Sequence, residues 1–303
     1  MINSFLIPKP PLFSFQECLW FLDRGYGDCL FRVKNRQVLK AILVEGSPVV
    51  FAVHEYENNL KVNVLEGNCS KNGEAFIWQY LTEWFDLGKD LSPFYNLLNQ
   101  DLRVAYMVEN FNGLRLMGIE DLFEALCWSI IGQQINLNFA YKLKRKLVEA
   151  YGTKVFYEDE IFYLFPEPAV ISRISIPDLK AMQFSESKAT YILEVARAFV
   201  ENRLSKEILT ALPGFEIRQK ALIAIKGVGV WTANYVLMKT LRDASSIPFG
   251  DVGLLKALVS HQIINERKEV EKISAFFSNY KGWESYLVFY LWRSLSTPVF
   301  QAK

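Results

Sequence analysis

Short apolar runs and turn signals characterise the first seventy residues, and helical periods of apolar positions follow. Runs rich in Val, Ile, Leu and Phe at 37–44 and 49–54, together with the alternating segment 60–64, predict three short strands. Glu45-Gly46-Ser47-Pro48 predicts a turn between the first two of them. The pattern therefore predicts an antiparallel, β-rich N-terminal domain over residues 1–73, with one or two flanking helices.

From Glu74 onward the apolar period becomes helical. The first helix carries one apolar stripe, formed by Phe76, Ile77, Tyr80, Leu81, Trp84 and Phe85. Further helices are predicted at about 93–109, 120–131, 134–150, 177–181, 185–202, 215–225, 230–241, 251–262, 267–277 and 283–295. Strands followed by many helices predict an α+β fold. A boundary near Pro213-Gly214 divides the helical part into segments 74–212 and 213–303.

The composition is that of a globular protein with a local basic cluster. The 303 residues are 51% hydrophobic and 15% aromatic, and the net charge is only +1, so the chain is not a generic basic coat for nucleic acid. The predicted helix 134–150 has a buried stripe of Ile135, Phe139, Leu143 and Leu147. The same helix carries the basic residues Lys142, Lys144, Arg145 and Lys146. This basic face could contact a phosphate backbone, or it could simply be solvated.

The cysteines, the histidines and the N-terminal residues limit which classes of protein the chain can belong to. The four cysteines at 18, 29, 69 and 127 form no C-x-x-C pair, and the two histidines are not at ligand spacing, so we expect no metal and no other cofactor. Residues 1–15 contain three prolines and no basic start, which does not fit a signal peptide. No apolar run reaches the length of a membrane span. We therefore expect a cytoplasmic protein that does not bind membranes.

The strongest motif is a glycine hairpin between two predicted helices. In Ile225-Lys226-Gly227-Val228-Gly229-Val230-Trp231-Thr232, the two glycines permit a turn too tight for other residues. The free N–H groups of Gly227, Val228 and Gly229, and of Thr232 in the first helical turn, could bind a phosphate. A Gly-x-Gly alone is more often a plain helix–helix turn. Trp231 and Tyr235 lie on one side of the second helix, and Asp251 follows a Pro-Phe-Gly turn.

This motif resembles the helix-hairpin-helix of the DNA glycosylase superfamily that carries an invariant aspartate. Ile130-Ile131-Gly132-Gln133-Gln134-Ile135-Asn136 is similar to the DNA-inserting segment of the AlkA-type 3-methyladenine glycosylases within it. Trp283-Glu284-Ser285-Tyr286 is similar to their C-terminal helix. The resemblance spans about residues 75–295. It implies a β-rich N-terminal domain and two helical lobes with the active-site cleft between them.

The resemblance also implies roles for individual residues. It places Gln134, beside Gln133, at the DNA wedge, where AlkA-type enzymes often have an apolar side chain. The alternative is that both glutamines only cap a helix. It places Trp231, Tyr235 and Trp283 in the pocket for a flipped base, where aromatic rings would attract a cationic alkylated base. The alternative for each of these rings is core packing.

Asp251 is the predicted catalytic residue. A carboxylate beside C1′ would stabilise the positive charge that develops on the deoxyribose and orient a water molecule. The alternative role is an N-cap, and both can hold together. Bifunctional relatives carry a lysine two residues after the second hairpin glycine, where this chain has Trp231; neither Lys226 nor Lys239 matches that position.

These residues predict a monofunctional glycosylase that removes alkylated purines from double-stranded DNA and leaves an abasic site. We expect it to act as a monomer, and the resemblance leaves open a monovalent cation at the hairpin carbonyls. The alternatives are a glycosylase of the same fold for oxidised or deaminated bases, a catalytically inactive DNA-binding protein, and a partner-binding regulator.

Overall fold

The computed structural model describes residues 2–296. Met1, which begins the predicted segment 1–73, and residues 297–303, which end the predicted segment 213–303, lie outside that range. Its N-terminal part contains the strands β1 (Ser4–Pro8), β2 (Phe31–Lys34), β3 (Gln37–Val44), β4 (Ser47–Tyr56) and β5 (Asn59–Glu66), with helix α1 (Phe15–Leu22) between β1 and β2. They form an antiparallel sheet in the order β1-β5-β4-β3-β2. The three predicted strands and the antiparallel sheet are thus present.

The turn between β3 and β4 follows from its two central residues. Glu45 and Gly46 both have positive φ, and Val44 pairs with Ser47, as in the two-residue hairpins whose twist matches that of the strands. The edge strands β1 and β2 were missing from the prediction. They are short, and β1 ends in Pro8, a residue that sheets tolerate at an edge.

The rest of the described chain is mainly helical. Its helices are α2 (Lys71–Trp84), α3 (Ser92–Leu98), α4 (Met107–Asn110), α5 (Leu122–Gly132), α6 (Leu137–Tyr151), α7 (Pro168–Ile171), α8 (Ile176–Ala181), α9 (Glu186–Val200), α10 (Lys206–Ala211), α11 (Phe215–Ile223), α12 (Val230–Thr240), α13 (Val252–Ser260), α14 (Val270–Ser278) and α15 (Glu284–Ser294). The chain is therefore α+β, as predicted. The expected helix 93–109 is interrupted by turns between α3 and α4.

A small hairpin also breaks the helical region. Strands β6 (Lys154–Tyr157) and β7 (Glu160–Tyr163) pair with each other, and Val155 and Phe162 pack against Ala41 and Val50 of the N-terminal sheet. Each strand has only four residues, which is too short to give a clear periodic signal. The hairpin ties the helical region to the back of the sheet.

Two apolar cores divide the chain differently from the predicted segments. One core joins the sheet to residues 77–117 and to the C-terminal helices α13, α14 and α15. The other runs from Leu122 to Leu237 and therefore crosses the predicted boundary near residue 213. The boundary at residue 74 is not a break either, because α2 packs into the core of the sheet. Helix α12 contributes to both cores and lies where they meet. Within residues 2–296, no helix combines the length and the apolar character that crossing a membrane requires.

Candidate active site

A cavity of about 1000 Å³ opens where the two cores meet. Its wall includes residues of the loop between α1 and β2, of α2, α5, α6 and α12, of the segments 118–120 and 132–137, of the turn at 250–253 and of the end of α15. This volume is at the upper end of the range for small-molecule sites. Sequence-distant segments from both cores thus contribute to one site.

The glycine hairpin joins α11 to α12 at the rim of this cavity. Gly227 has a φ of +93°, and a β-carbon there would collide with the ring of Tyr191. Gly229 is the N-cap of α12, and nothing lies within 4 Å of where its β-carbon would be. The hairpin therefore packs against α9 on one side and is open on the other.

Of the N–H groups predicted to bind DNA backbone, that of Val228 is engaged, whereas that of Thr232 makes no backbone hydrogen bond within residues 2–296 although its side chain is buried. The side chain of Val228 is buried, and its N–H already donates to Ile225 O. Thr232 is 1% exposed, with its hydroxyl turned inward. The N–H groups of Gly229 and Val230 also make no hydrogen bond within residues 2–296. They remain the donors that could receive a phosphate at this helix N-terminus.

The segment between α5 and α6 separates the two glutamines. Gln134 is exposed and has a φ of +57°, a conformation that costs a non-glycine residue about 1–2 kcal/mol. Gln133 instead turns inward, and its Nε2 donates to Gly227 O at 3.2 Å and to Thr232 Oγ1 at 3.1 Å. Gln133 is therefore not part of the exposed tip. Gln133 is the C-cap of α5, with its N–H donating to Ile130 O, and the N-cap of α6 is Asn136, so Gln134 caps neither helix.

Asp251 follows a turn that Gly250 allows with a φ of +84°. Its Oδ1 accepts hydrogen bonds from Leu254 N at 2.7 Å and from Trp292 Nε1 at 2.9 Å. The first bond makes Asp251 the N-cap of α13, so the expected capping role is present. Its Oδ2 accepts no hydrogen bond in the part of the chain that the structure describes, and the residue lines the cavity. One carboxylate oxygen is thus fixed and the other is available.

Aromatic rings form the wall beside Asp251. Trp231 stacks on Tyr235 with ring centroids 5.4 Å apart and an interplanar angle of 18°, and Trp292 lies 6.3 Å from Tyr235. Trp128 Nε1 donates to the hydroxyl of Tyr235 at 3.1 Å. Burial raises the pKa of Tyr235, which keeps the phenol neutral. The structure therefore places Trp231 and Tyr235 in the cavity, as predicted.

Trp283 is not in the cavity, which corrects its predicted role. Its ring stacks on Phe94 at 5.5 Å, contacts Tyr286, and lies under the ammonium group of Lys89 at 4.4 Å. Trp292, later on the same helix, lies in the cavity instead. The sequence pattern contained both tryptophans in one amphipathic helix, and only the packing of α15 distinguishes them.

The basic cluster on α6 is also different from its prediction. Lys144 is buried, and its ammonium group contacts Asp28 at 2.9 Å and Glu124 at 3.0 Å. Burial alone would lower the pKa of Lys144, but the two carboxylates outweigh it and hold this pKa well above its usual value. Lys142, Arg145 and Lys146 remain exposed. Lys144 is therefore part of a buried charge cluster on the cavity wall.

The loop between α1 and β2 is the part of the site that sequence reasoning missed. Tyr26 stacks on Tyr141 of α6 at 5.1 Å with an interplanar angle of 7°, and Arg24 Nη2 lies 3.5 Å from the hydroxyl of Tyr141. Asp28, in the same loop, accepts a hydrogen bond from Lys144 of α6. These partners are more than 110 residues apart in sequence, so no local pattern could have indicated them.

Lys239 is a further buried group of the wall. Burial, reinforced by Arg242, holds the pKa of Lys239 well below its usual value. Its ammonium nitrogen donates to Met117 O and lies 4.4 Å and 4.9 Å from the ring centroids of Phe21 and Phe289. Within residues 2–296, no group of three or more His, Cys, Asp or Glu side chains is placed to hold a metal ion.

Two family models match the chain. The model described as HhH-GPD superfamily base excision DNA repair protein matches residues 127–281, more than half of the chain, and includes the hairpin and Asp251. The chain belongs to the HhH-GPD superfamily. The model of the 8-oxoguanine DNA glycosylase N-terminal domain matches residues 29–126 of this HhH-GPD protein.

Individual relatives agree with this assignment. A DNA-3-methyladenine glycosylase of Bacillus subtilis (strain 168) is 37% identical over 294 residues, which cover 96% of each chain. Two solved structures share the fold. A 3-methyladenine DNA-glycosylase from Archaeoglobus fulgidus has a TM-score of 0.83 at 23% identity, over 96% of this chain and 98% of that one. The Clostridium acetobutylicum 8-oxoguanine glycosylase/lyase in complex with dsDNA has a TM-score of 0.77 at 17% identity, over 97% and 98%. This HhH-GPD protein is a DNA glycosylase of base excision repair and hydrolyses N-glycosyl bonds.

Proposed function

We propose that this glycosylase removes alkylated purines of the 3-methyladenine and 7-methylguanine type from double-stranded DNA. The observation that carries the proposal is the position of one carboxylate, Asp251, next to the stacked pair Trp231 and Tyr235 in a single cavity. An alkylated purine is cationic, and an electron-rich ring attracts a cation by about 0.5–2 kcal/mol. Stacking on these rings favours such a base over its neutral parent.

Asp251 supplies the electrostatic part of the reaction. As the N-glycosidic bond breaks, positive charge develops on the deoxyribose, as in other glycoside hydrolyses. Oδ1 is held by Leu254 N–H and Trp292 Nε1–H, so the carboxylate of Asp251, which lines the cavity, has a fixed orientation. A preoriented carboxylate stabilises this charge without reorganising during the reaction. A cationic base is a good leaving group and needs little protonation.

The substrate base must leave the stack before it can enter the cavity. Flipping a nucleotide costs a few kcal/mol, and least for a damaged or weakly paired base. In the proposed mechanism Gln134, which is exposed, fills the vacated space, and the free N–H groups of Gly229 and Val230 hold a phosphate. The wedge and the backbone grip would together stabilise the flipped state.

Water is the proposed nucleophile. Trp231 occupies the position where a lyase has its lysine. The amine of Lys239 donates a hydrogen bond to Met117 O and lies close to the rings of Phe21 and Phe289. The product would be an abasic site without strand cleavage. We further propose that the enzyme acts as a monomer in the cytoplasm, without a catalytic cofactor; a monovalent cation at the hairpin carbonyls would affect only DNA backbone binding.

A base-release assay tests this function. Purified enzyme is incubated with methylated duplex DNA, and free 3-methyladenine and 7-methylguanine are quantified by chromatography. Release of both is expected, and release of neither would overturn the proposal. The same assay on duplexes with 8-oxoguanine or hypoxanthine tests the alternative substrate class, which the match to the 8-oxoguanine glycosylase N-terminal domain favours. Borohydride trapping of protein on DNA would contradict water as the nucleophile, because trapping requires a Schiff base.

A further inference from the structure

The segment between α5 and α6 is connected to the glycine hairpin by one side chain. Gln133 is half-buried, and its Nε2 donates to Gly227 O in the hairpin and to Thr232 Oγ1 in the first turn of α12. Both acceptors are about a hundred residues away in sequence, although they are adjacent in space. Gln133 is thus the direct polar link between the wedge segment and the hairpin.

A second contact holds the last turn of α5, just before this segment. Lys188 of α9 donates to Ile131 O at 2.6 Å, and burial lowers the pKa of this lysine. The neighbouring Tyr191 packs against Gly227, so α9 contacts both the end of α5 and the hairpin. The exposed Gln134 therefore directly follows a stretch, residues 131–133, that is held by two separate contacts.

We propose that Gln133 is a positioning residue that couples the wedge to the phosphate-binding hairpin, so that Gln134 enters the DNA stack when the hairpin holds the backbone. This inference rests on the proposed base-flipping function. The backbone of Gln134 has a φ of +57°, which a non-glycine residue does not hold without support from its surroundings. The amide of Gln133 supplies part of that support, and it does so from the element that would hold the phosphate.

If Gln133 positions the wedge, the effect of its loss depends on whether the substrate base is paired. If Gln133 only stabilises the fold, the effect does not depend on pairing. The wedge stabilises a flipped base, and this help matters most when the base is fully paired and stacked. Loss of Gln133 should therefore slow base release from a paired duplex and have little effect when the same base lies opposite an abasic site. A variant that only disturbs the fold would slow both reactions equally.

The test measures single-turnover release of 7-methylguanine by wild type, Gln133→Ala, Gln134→Ala and the double variant. For Gln133→Ala we expect a loss of about 10- to 100-fold opposite cytosine and less than about threefold opposite an abasic site. Because Gln133 acts through Gln134, the double variant should be no slower than Gln134→Ala by more than about twofold. Gln79→Ala, which removes an exposed glutamine contact to Glu83 outside the cavity, is the matched control and should match wild type.

Thr232→Val removes one of the two acceptors and should show the same dependence on pairing with a smaller loss. Equal losses on both substrates, or multiplicative losses in the double variant, would overturn the inference. Fluorescence of 2-aminopurine paired with thymine in an otherwise intact duplex gives a readout of base unstacking that needs no base release. Wild type should change this signal and Gln133→Ala should not, even if the enzyme proves inactive on alkylated DNA. An equal change in both proteins would also refute the coupling.

Discussion

Replacing Asp251 with Asn separates its charge from its structural role. Asn is as good an N-cap as Asp. Its amide oxygen can still accept from Leu254 N–H and Trp292 Nε1–H, the two donors that now bind Oδ1. The free energy of unfolding should therefore change by less than about 0.5 kcal/mol. What disappears is the negative charge beside the developing cation.

The size of the loss follows from Coulomb's law. Two unit charges about 4 Å apart at an effective dielectric constant of about 20 attract by about 4 kcal/mol. Since each 1.36 kcal/mol is a factor of ten in rate, Asp251→Asn should reduce the chemical step by about 10³-fold. Asp251→Ala should lose a similar amount of activity and, in addition, about 1 kcal/mol of stability through the missing cap.

Single-turnover release of 7-methylguanine with enzyme in excess measures the chemical step, and thermal denaturation of the same preparations measures stability. The expected pattern is an unchanged midpoint for Asp251→Asn with a rate about 10³-fold below wild type. If the Asn variant kept more than about one tenth of the wild-type rate, the electrostatic role of Asp251 would be refuted. A large drop in its denaturation midpoint would instead contradict the capping argument.

Three further predictions concern residues around this carboxylate and hairpin. Trp292→Phe removes a charge-assisted hydrogen bond to Asp251 and should slow base release about 10- to 100-fold with little loss of stability. Lys144→Met leaves two buried carboxylates unpaired and should lower the free energy of unfolding in urea by about 3–5 kcal/mol, whereas the exposed Lys142→Met should change it by less than about 0.5 kcal/mol. Gly227→Ala forces a β-carbon into a positive φ and against a ring, and should destabilise by at least about 1–3 kcal/mol; Gly229→Ala, at a negative φ with open space, should fold normally.

The parts of the fold that the sequence predicts are those with strong local periodicity. Strands β3, β4 and β5 and helices α5, α6 and α12 follow from alternation, helical stripes and the absence of Gly and Pro. The four-residue strands β6 and β7 do not follow from the sequence, because they are too short for an alternation of apolar and polar positions to be recognised. The division into two cores was also missed, because contacts that bring the C-terminal helices back to the sheet are not local.

The same distinction holds within the site. Asp251, Trp231, Tyr235 and Gln134 stand next to glycine turns that mark them in the sequence, and the structure brings all four to one cavity. Trp283, the N-cap of α15, and Trp292, within α15, both fall in the predicted helix 283–295, and only tertiary packing decides which of them meets Asp251. The charge cluster around Lys144 needs a partner 116 residues away. Residue type alone therefore predicted a surface position for Lys144, whose side chain is buried.

The crowding of indole rings around the cavity gives the protein an optical property. Four of its seven tryptophans, Trp84, Trp128, Trp231 and Trp292, line the cavity wall. More than half of its indole rings therefore lie at the site, and their intrinsic fluorescence is the signal expected to change when a base stacks on them. Entry of a base can therefore be followed in real time without a label on either molecule.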